Sequence, residues 1–272
     1  MADMDTDPDI KVGPPAAGRE AEPAVGGAGD ASGGHDSHLA DDSPDDVWTA
    51  TGAQKETMAG LIVIGLVGVA ALFFHWRPGP TFLDRWGFSW IHPALSNTWW
   101  QHITYVRTMS FLVATSILSA LVVVTRDRWR ALALLFGPFT ATMLTEGVLK
   151  PVIGRRYAEV YSFPSGTTTL VGAAATAWVI AVPRKIRLAV VVVAAFCAGL
   201  ECMAVVALQW HYPTDAVAGV AFGAGIVLLI DGVIHMIVDR ERALREAASA
   251  RPGAAQAARA AQATPHASAP AA

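Results

Sequence analysis

The chain has 272 residues, 53% of them hydrophobic and only 16% charged, with a formal net charge of −3 and a mean hydropathy of +0.39. Soluble domains carry about a quarter charged residues, so this balance argues against a soluble domain and for a membrane protein. Acids crowd the start of the chain (Asp3, Asp5, Asp7, Asp9, Asp41, Asp42, Asp45, Asp46) and no basic stripe with interleaved aromatics appears, which argues against a nucleic-acid partner.

Residues 1–56 are rich in Asp, Gly, Ala and Pro and lack apolar periodicity. Such a segment buries too little surface to offset its ordering entropy, and a disordered acidic tail is expected. Residues 57–240 then hold six apolar runs, read as membrane spans at about 57–75, 106–124, 130–149, 167–183, 187–208 and 214–238. A helix needs roughly 17–25 residues to cross the hydrocarbon core. The third and fourth runs are the weakest, because Thr140, Thr142, Thr145 and Glu146 interrupt one and Thr168, Thr169 and Thr176 the other. The 76–106 connection carries Trp76, Trp86, Trp90, Trp99 and Trp100, an interfacial aromatic belt around an amphipathic helix in the headgroups. Cys197 and Cys202 share one apolar run and are read as buried thiols of one helix, neither a disulfide nor a metal site. Residues 241–272 form an Ala-rich flexible tail, partly helical. The fold expected is an all-α integral membrane six-helix bundle with disordered N- and C-terminal tails.

Basic residues set the orientation. Arg126, Arg128 and Arg130 join spans two and three, Arg184, Lys185 and Arg187 join spans four and five, and Arg240, Arg242 and Arg245 follow span six. In a six-span chain these clusters share one side with both termini, and the positive-inside rule makes that side cytoplasmic. A multi-pass protein of the plasma membrane is expected, with its other loops outside the cytoplasm.

Three polar islands lie on that outer side. Lys150, Arg155 and Arg156 can bind a phosphate through charge-assisted contacts, although basic residues also anchor span ends in headgroups. Their side of the membrane, where fewer cations are expected, favours the phosphate reading. Ser165 and Gly166, followed by Thr167, open span four, where helix-start N–H groups can hold an anion and Ser165 can equally be a plain N-cap. His211 and Asp215 flank Pro213 at the start of span six, and the carboxylate can orient the imidazole so that its other nitrogen attacks. Each island alone is common, and their combination is what points to phosphoryl chemistry. Glu146 stands four residues before Lys150, a spacing suited to an ion pair. His92 and His102, on the same side, are reserve candidates.

This pattern resembles the type 2 phosphatidic acid phosphatase superfamily, over roughly residues 57–240. Membrane members of that family have six spans and three outward-facing motifs: Lys, six residues, Arg-Pro; Pro-Ser-Gly-His; and Ser-Arg, five residues, His, three residues, Asp. The resemblance makes Lys150 the phosphate-binding lysine, Ser165 and Gly166 the pair that holds phosphate oxygens, His211 the nucleophile that forms a phosphohistidine, and Asp215 its orienting carboxylate. Here the first motif's Arg-Pro falls on Tyr157-Ala158, with Arg155 and Arg156 just before it. The second motif's His, the proton donor, falls on Thr167, and the third motif's Ser-Arg falls on Ala204-Val205. A threonine hydroxyl cannot replace an imidazolium acid, whose help is worth about 10²–10⁴-fold. That loss matters least where the leaving group is itself a phosphate. The resemblance therefore implies a membrane lipid phosphatase, acting on a lipid phosphate or a polyprenyl diphosphate among membrane lipids, with no cofactor and no metal. The missing acid keeps a second reading open, a non-catalytic member that binds a lipid phosphate as sensor, scaffold or carrier. A transporter or channel is disfavoured by the few charges inside the spans and the lack of an inverted repeat.

Overall fold

A computed structural model of the chain describes residues 44–75, 79–91, 97–104 and 109–263. The regular elements among the described residues are helices and one small hairpin. The helices are α1 (Pro44–His75), α2 (Phe82–Trp90), α3 (Asn97–Ile103), α4 (Met109–Val123) and α5 (Arg128–Leu144), then α6 (Lys150–Ile153), α7 (Gly166–Ala181), α8 (Arg184–Ala207) and α9 (Pro213–Ala263). Between α5 and α6 the chain widens into a π turn, Thr145–Leu149. The hairpin pairs β1 (Arg156–Tyr157) with β2 (Val160–Tyr161), Arg156 opposite Tyr161 and Tyr157 opposite Val160.

Among the described residues, four helical stretches are long and apolar enough to cross a membrane: Gly52–His75, Arg128–Ile153, Arg184–Ala207 and Pro213–Ser249. Ser110–Val123 and Gly166–Ala181 are apolar but shorter, so four of the six expected spans reach crossing length. Part of the second expected span, at residues 106–108, lies outside the described residues. Leu61, Leu66, Val69 and Leu72 of α1 and Leu188, Val192, Val193 and Phe196 of α8 turn outward. An outward face of this kind belongs against lipid, and the chain is an integral membrane protein.

The central element is α9, along which α1, α5 and α7 pack. Small residues let the backbones close in. A Cβ on Gly223 would run into the Thr169 carbonyl, and one on Gly172 into the Val220 backbone, a contact built as in small-residue membrane helix pairs. Of the threonines that weaken spans three and four as hydrophobic runs, Thr145, Thr168 and Thr169 are buried between helices. Thr145 Oγ1 donates to Thr169 Oγ1 at 3.3 Å, and Thr168 Oγ1 donates to the Ala216 carbonyl at 2.8 Å. Leu134, Phe163 and Val227 are among the buried residues of the core between the helices.

Several expectations change. The helix of the first span starts at Pro44, inside the stretch read as an acidic tail, and residues 1–43 lie outside the described residues. The last helix continues through the Ala-rich stretch to Ala263, and residues 264–272 lie outside them. Alanine carries the best intrinsic helix propensity, so the helix extends without an apolar face to bury. Cys197 and Cys202 are free thiols, but Cys197 faces outward on α8 instead of inward. In the aromatic connection, Trp86, Trp90 and Trp99 are exposed, Trp100 is buried and Trp76 is outside the described residues.

Candidate active site

The site is built at one end of the bundle. The Ser165 N–H donates to the Asp215 carbonyl at 3.0 Å, which sets the N-termini of α7 and α9 side by side. His75, at the end of α1, reaches the Ile153 carbonyl with Nδ1 at 3.0 Å and ties in the end of α6. Gly154 stops α6 in the left-handed region, with φ of 68°, a conformation natural to glycine. The following chain turns back toward the core and carries Arg155 with it.

Glu146, Lys150, Tyr161, Thr167, Gln209 and His211 are among the residues that line a cleft of about 470 Å³ at this end. Lys150 and Thr167, from different islands, thus share the cleft with His211. The His211 Nδ1 faces the Ser162 carbonyl at 3.0 Å. A carbonyl only accepts, so Nδ1 carries the proton and Nε2 keeps its lone pair. Among the described residues Nε2 has no hydrogen-bond partner. Burial, and then the positive charge of Lys150, push the imidazole down to about 4 against the opposing pull of the Ser162 bond. The ring is therefore neutral at neutral pH, as a nucleophile must be.

The orienting group differs from expectation. Asp215 does not hold His211. Its carboxylate accepts from the Tyr212 N–H at 3.2 Å and pairs with Arg155. Arg155 also departs from its expected place on the phosphate. It is 1% exposed and gives one guanidinium nitrogen to Thr214 Oγ1 (2.9 Å) and Asp215, the other to the Gly79 carbonyl (2.9 Å) and Asp84 Oδ2 (2.7 Å). The group lies between the Phe74 ring, 3.9 Å from its centroid, and the Tyr212 ring at 4.3 Å. Two carboxylates and two rings leave it no open face for a phosphate. The physical reason is burial: a guanidinium carried inward by the Gly154 turn must find anions there.

Asp84 is the residue that sequence reasoning missed. It closes a capping box on α2, with Thr81 Oγ1 accepting from the Asp84 N–H and Asp84 Oδ2 accepting from the Thr81 N–H. Burial pushes its carboxyl up, but hydrogen bonds from Thr81 and Thr214 outweigh that and hold it below the usual carboxylate range. The Thr-x-x-Asp spacing of residues 81–84 signals the cap. Its second role, anchoring Arg155 and Thr214, has no sequence signal.

Ser165 is a buried N-cap of α7 whose side chain accepts from the Thr168 N–H at 3.5 Å. The N–H groups of Gly166 and Thr167, in the first turn of α7, lie before the first intrahelical bond and can receive an anion. Gly166 is packed so closely that a Cβ there would run into Glu146 Oε1. Glu146 holds Lys150 Nζ at 2.7 and 2.9 Å, the ion pair expected from their spacing. Arg156 is exposed on the hairpin, its guanidinium 5.2 Å from the Tyr161 ring centroid beside the cleft. Of the reserve histidines, His102 bonds the Thr98 carbonyl of its own helix at 2.7 Å, and His92 lies outside the described residues. Neutral imidazole, ammonium and helix-start N–H groups around one cleft can bind a phosphoryl group and attack it.

A sequence model of the PAP2 superfamily matches residues 57–239. No curated protein matches the chain. Among solved structures, that of a transmembrane PAP2-type phosphatidylglycerolphosphate phosphatase from Bacillus subtilis shares its fold, with 22% sequence identity and a TM-score of 0.50, covering 61% of this chain and 93% of that one.

Proposed function

The chain belongs to the PAP2 superfamily, and on that premise we propose that it is a membrane lipid phosphatase that works through a phosphohistidine on His211. The observation that carries this reading is the free Nε2 of a neutral His211 in the same cleft as Lys150 and Thr167. Nε2 attacks phosphorus, Lys150 and the α7 N–H groups of Gly166 and Thr167 neutralise the phosphoryl oxygens, and the Ser162 carbonyl holds the ring in the attacking tautomer. Arg156 meets the substrate from the hairpin. Asp215 acts at one remove, by fixing Tyr212 and the loop that carries His211. With Thr167 in place of an acid, the substrate that suits the cleft has a phosphate leaving group, as in a polyprenyl diphosphate. An apolar groove of about 820 Å³ between α4, α7 and α8 gives hydrocarbon a place beside the bundle. The basic clusters favour an extracytoplasmic cleft by the positive-inside rule, and Arg126, Arg128, Arg242 and Arg245 share one polar recess.

Purified protein in detergent is expected to release phosphate from farnesyl diphosphate faster than from phosphatidic acid, and His211→Ala is expected to lose at least about 10³-fold in kcat. Full activity in His211→Ala would overturn the assignment. Tight binding of both lipids by the wild type with no turnover would favour a lipid-phosphate sensor or carrier.

A further inference from the structure

We propose that Glu146 is the general base that activates water to hydrolyse the phosphohistidine, the half-reaction that Thr167 cannot serve. The inference rests on the phosphatase reading above. Three observations carry it. Glu146 lines the cleft together with His211 and Thr167. Its Oε1 lies against Gly166, one residue from the position where an imidazole would have stood. Both its oxygens face Lys150 Nζ, at 2.7 and 2.9 Å, and its side chain keeps 48% exposure, so water reaches it.

A carboxylate salt-bridged to an ammonium is a proton acceptor, not a donor. It serves the second half-reaction and not the first. In the first, the Nε2–P bond forms and the P–O bond to the leaving group breaks. A phosphate leaving group takes the electron pair without needing a proton, whereas an alkoxide would need one. In the second, a water oxygen forms its bond to phosphorus as the Nε2–P bond breaks, and that electron pair returns to Nε2. The water proton passes to Glu146 Oε1 and leaves to solvent with the product. Residue 166 has to be glycine for this arrangement, since any side chain would displace the carboxylate. The π turn at Thr145–Leu149 contains Glu146 and leads directly into Lys150, so the acid and the ammonium leave one widened turn together.

The test uses the full chain in detergent with farnesyl diphosphate labelled in its terminal phosphate. In Glu146→Gln, steady-state kcat is expected to fall about 10²–10³-fold, while one equivalent of the allylic phosphate product still appears in a rapid burst. Labelled phosphate is expected to stay on His211 in an acid-labile, alkali-stable form, and Glu146→Asp is expected to restore part of the turnover. Loss of the burst together with turnover would make Glu146 a support for Lys150 and overturn the proposal. A lower KM with unchanged kcat in Glu146→Gln would also overturn it, by making the carboxylate a competitor for the phosphate position. Wild-type protein that never turns over would overturn the phosphatase reading and this role with it. Unchanged kinetics in Glu146→Gln beside an active wild type would overturn this role alone.

Discussion

His211 is set by what surrounds its ring. The Ser162 carbonyl fixes the tautomer, burial removes the water that would solvate an imidazolium, and Lys150 repels the charge. Its folded value of about 4 lies below the ordinary histidine value of roughly 6.5. Between those two values the unfolded chain binds a proton and the folded chain does not. Stability is therefore expected to fall as pH drops from about 6.5 to about 4, and to level off below that. A ¹⁵N NMR titration of the His211 ring, with thermal unfolding in detergent over the same range, checks both. A ring that titrates near 6.5 would contradict the description. The sequence singles out His211 by its place at a span end and pairs it with Asp215, whereas the ring bonds the Ser162 carbonyl. A carboxylate four residues on is a reasonable guess until Arg155 claims it.

At the scale of elements, the contact between α7 and α9 decides the geometry of the site. Their backbones approach at Gly172 and Gly223, and that approach lets Ser165 bond Asp215 and Thr168 bond Ala216 across the helices. The threonines are a polar seam between two apolar helices, and the same seam makes span four read as weak. Gly223→Leu is expected to force the helices apart, costing about 1–3 kcal/mol and lowering activity with it, because Thr167 and His211 are carried on opposite sides of that contact. Thermal unfolding and phosphate release, measured on the same preparation, test it. A silent Gly223→Leu would mean that the helices do not meet there.

Over the whole molecule, ion pairs tie the two ends of an otherwise apolar bundle. At one end Arg130 reaches Asp231 at 3.0 Å and Glu56 at 3.6 Å, joining α5 to α9 and α1, while His235 reaches Asp127 at 2.7 Å. At the other, Arg155 joins the Gly79 turn, α2 and the start of α9 behind the cleft. Such pairs add little net stability while intact, because desolvation offsets attraction, but breaking one leaves an uncompensated buried charge. Arg155→Met strands Asp84 and Asp215 and is expected to cost about 3–5 kcal/mol. Arg156→Met, exposed on the adjacent strand, is expected to change stability by less than about 0.5 kcal/mol. A matched pair of unfolding curves in detergent reads the difference, and equal stabilities would remove Arg155 from the core.

The sequence by itself determined the apolar helices, the side on which the basic loops gather, the Glu146–Lys150 pair and the set of islands proposed as a phosphoryl site. Those features follow from hydropathy, charge and i,i+4 spacing, which are local and survive without a fold. Only the tertiary structure decided how the islands divide. It sent Arg155 and Asp215 into a buried pair, gave His211 to the Ser162 carbonyl, brought in Asp84 from a distant helix and laid Glu146 on Gly166. Each of those outcomes depends on which buried charge finds which counter-charge across the bundle, and that choice is made by packing between segments far apart in the chain.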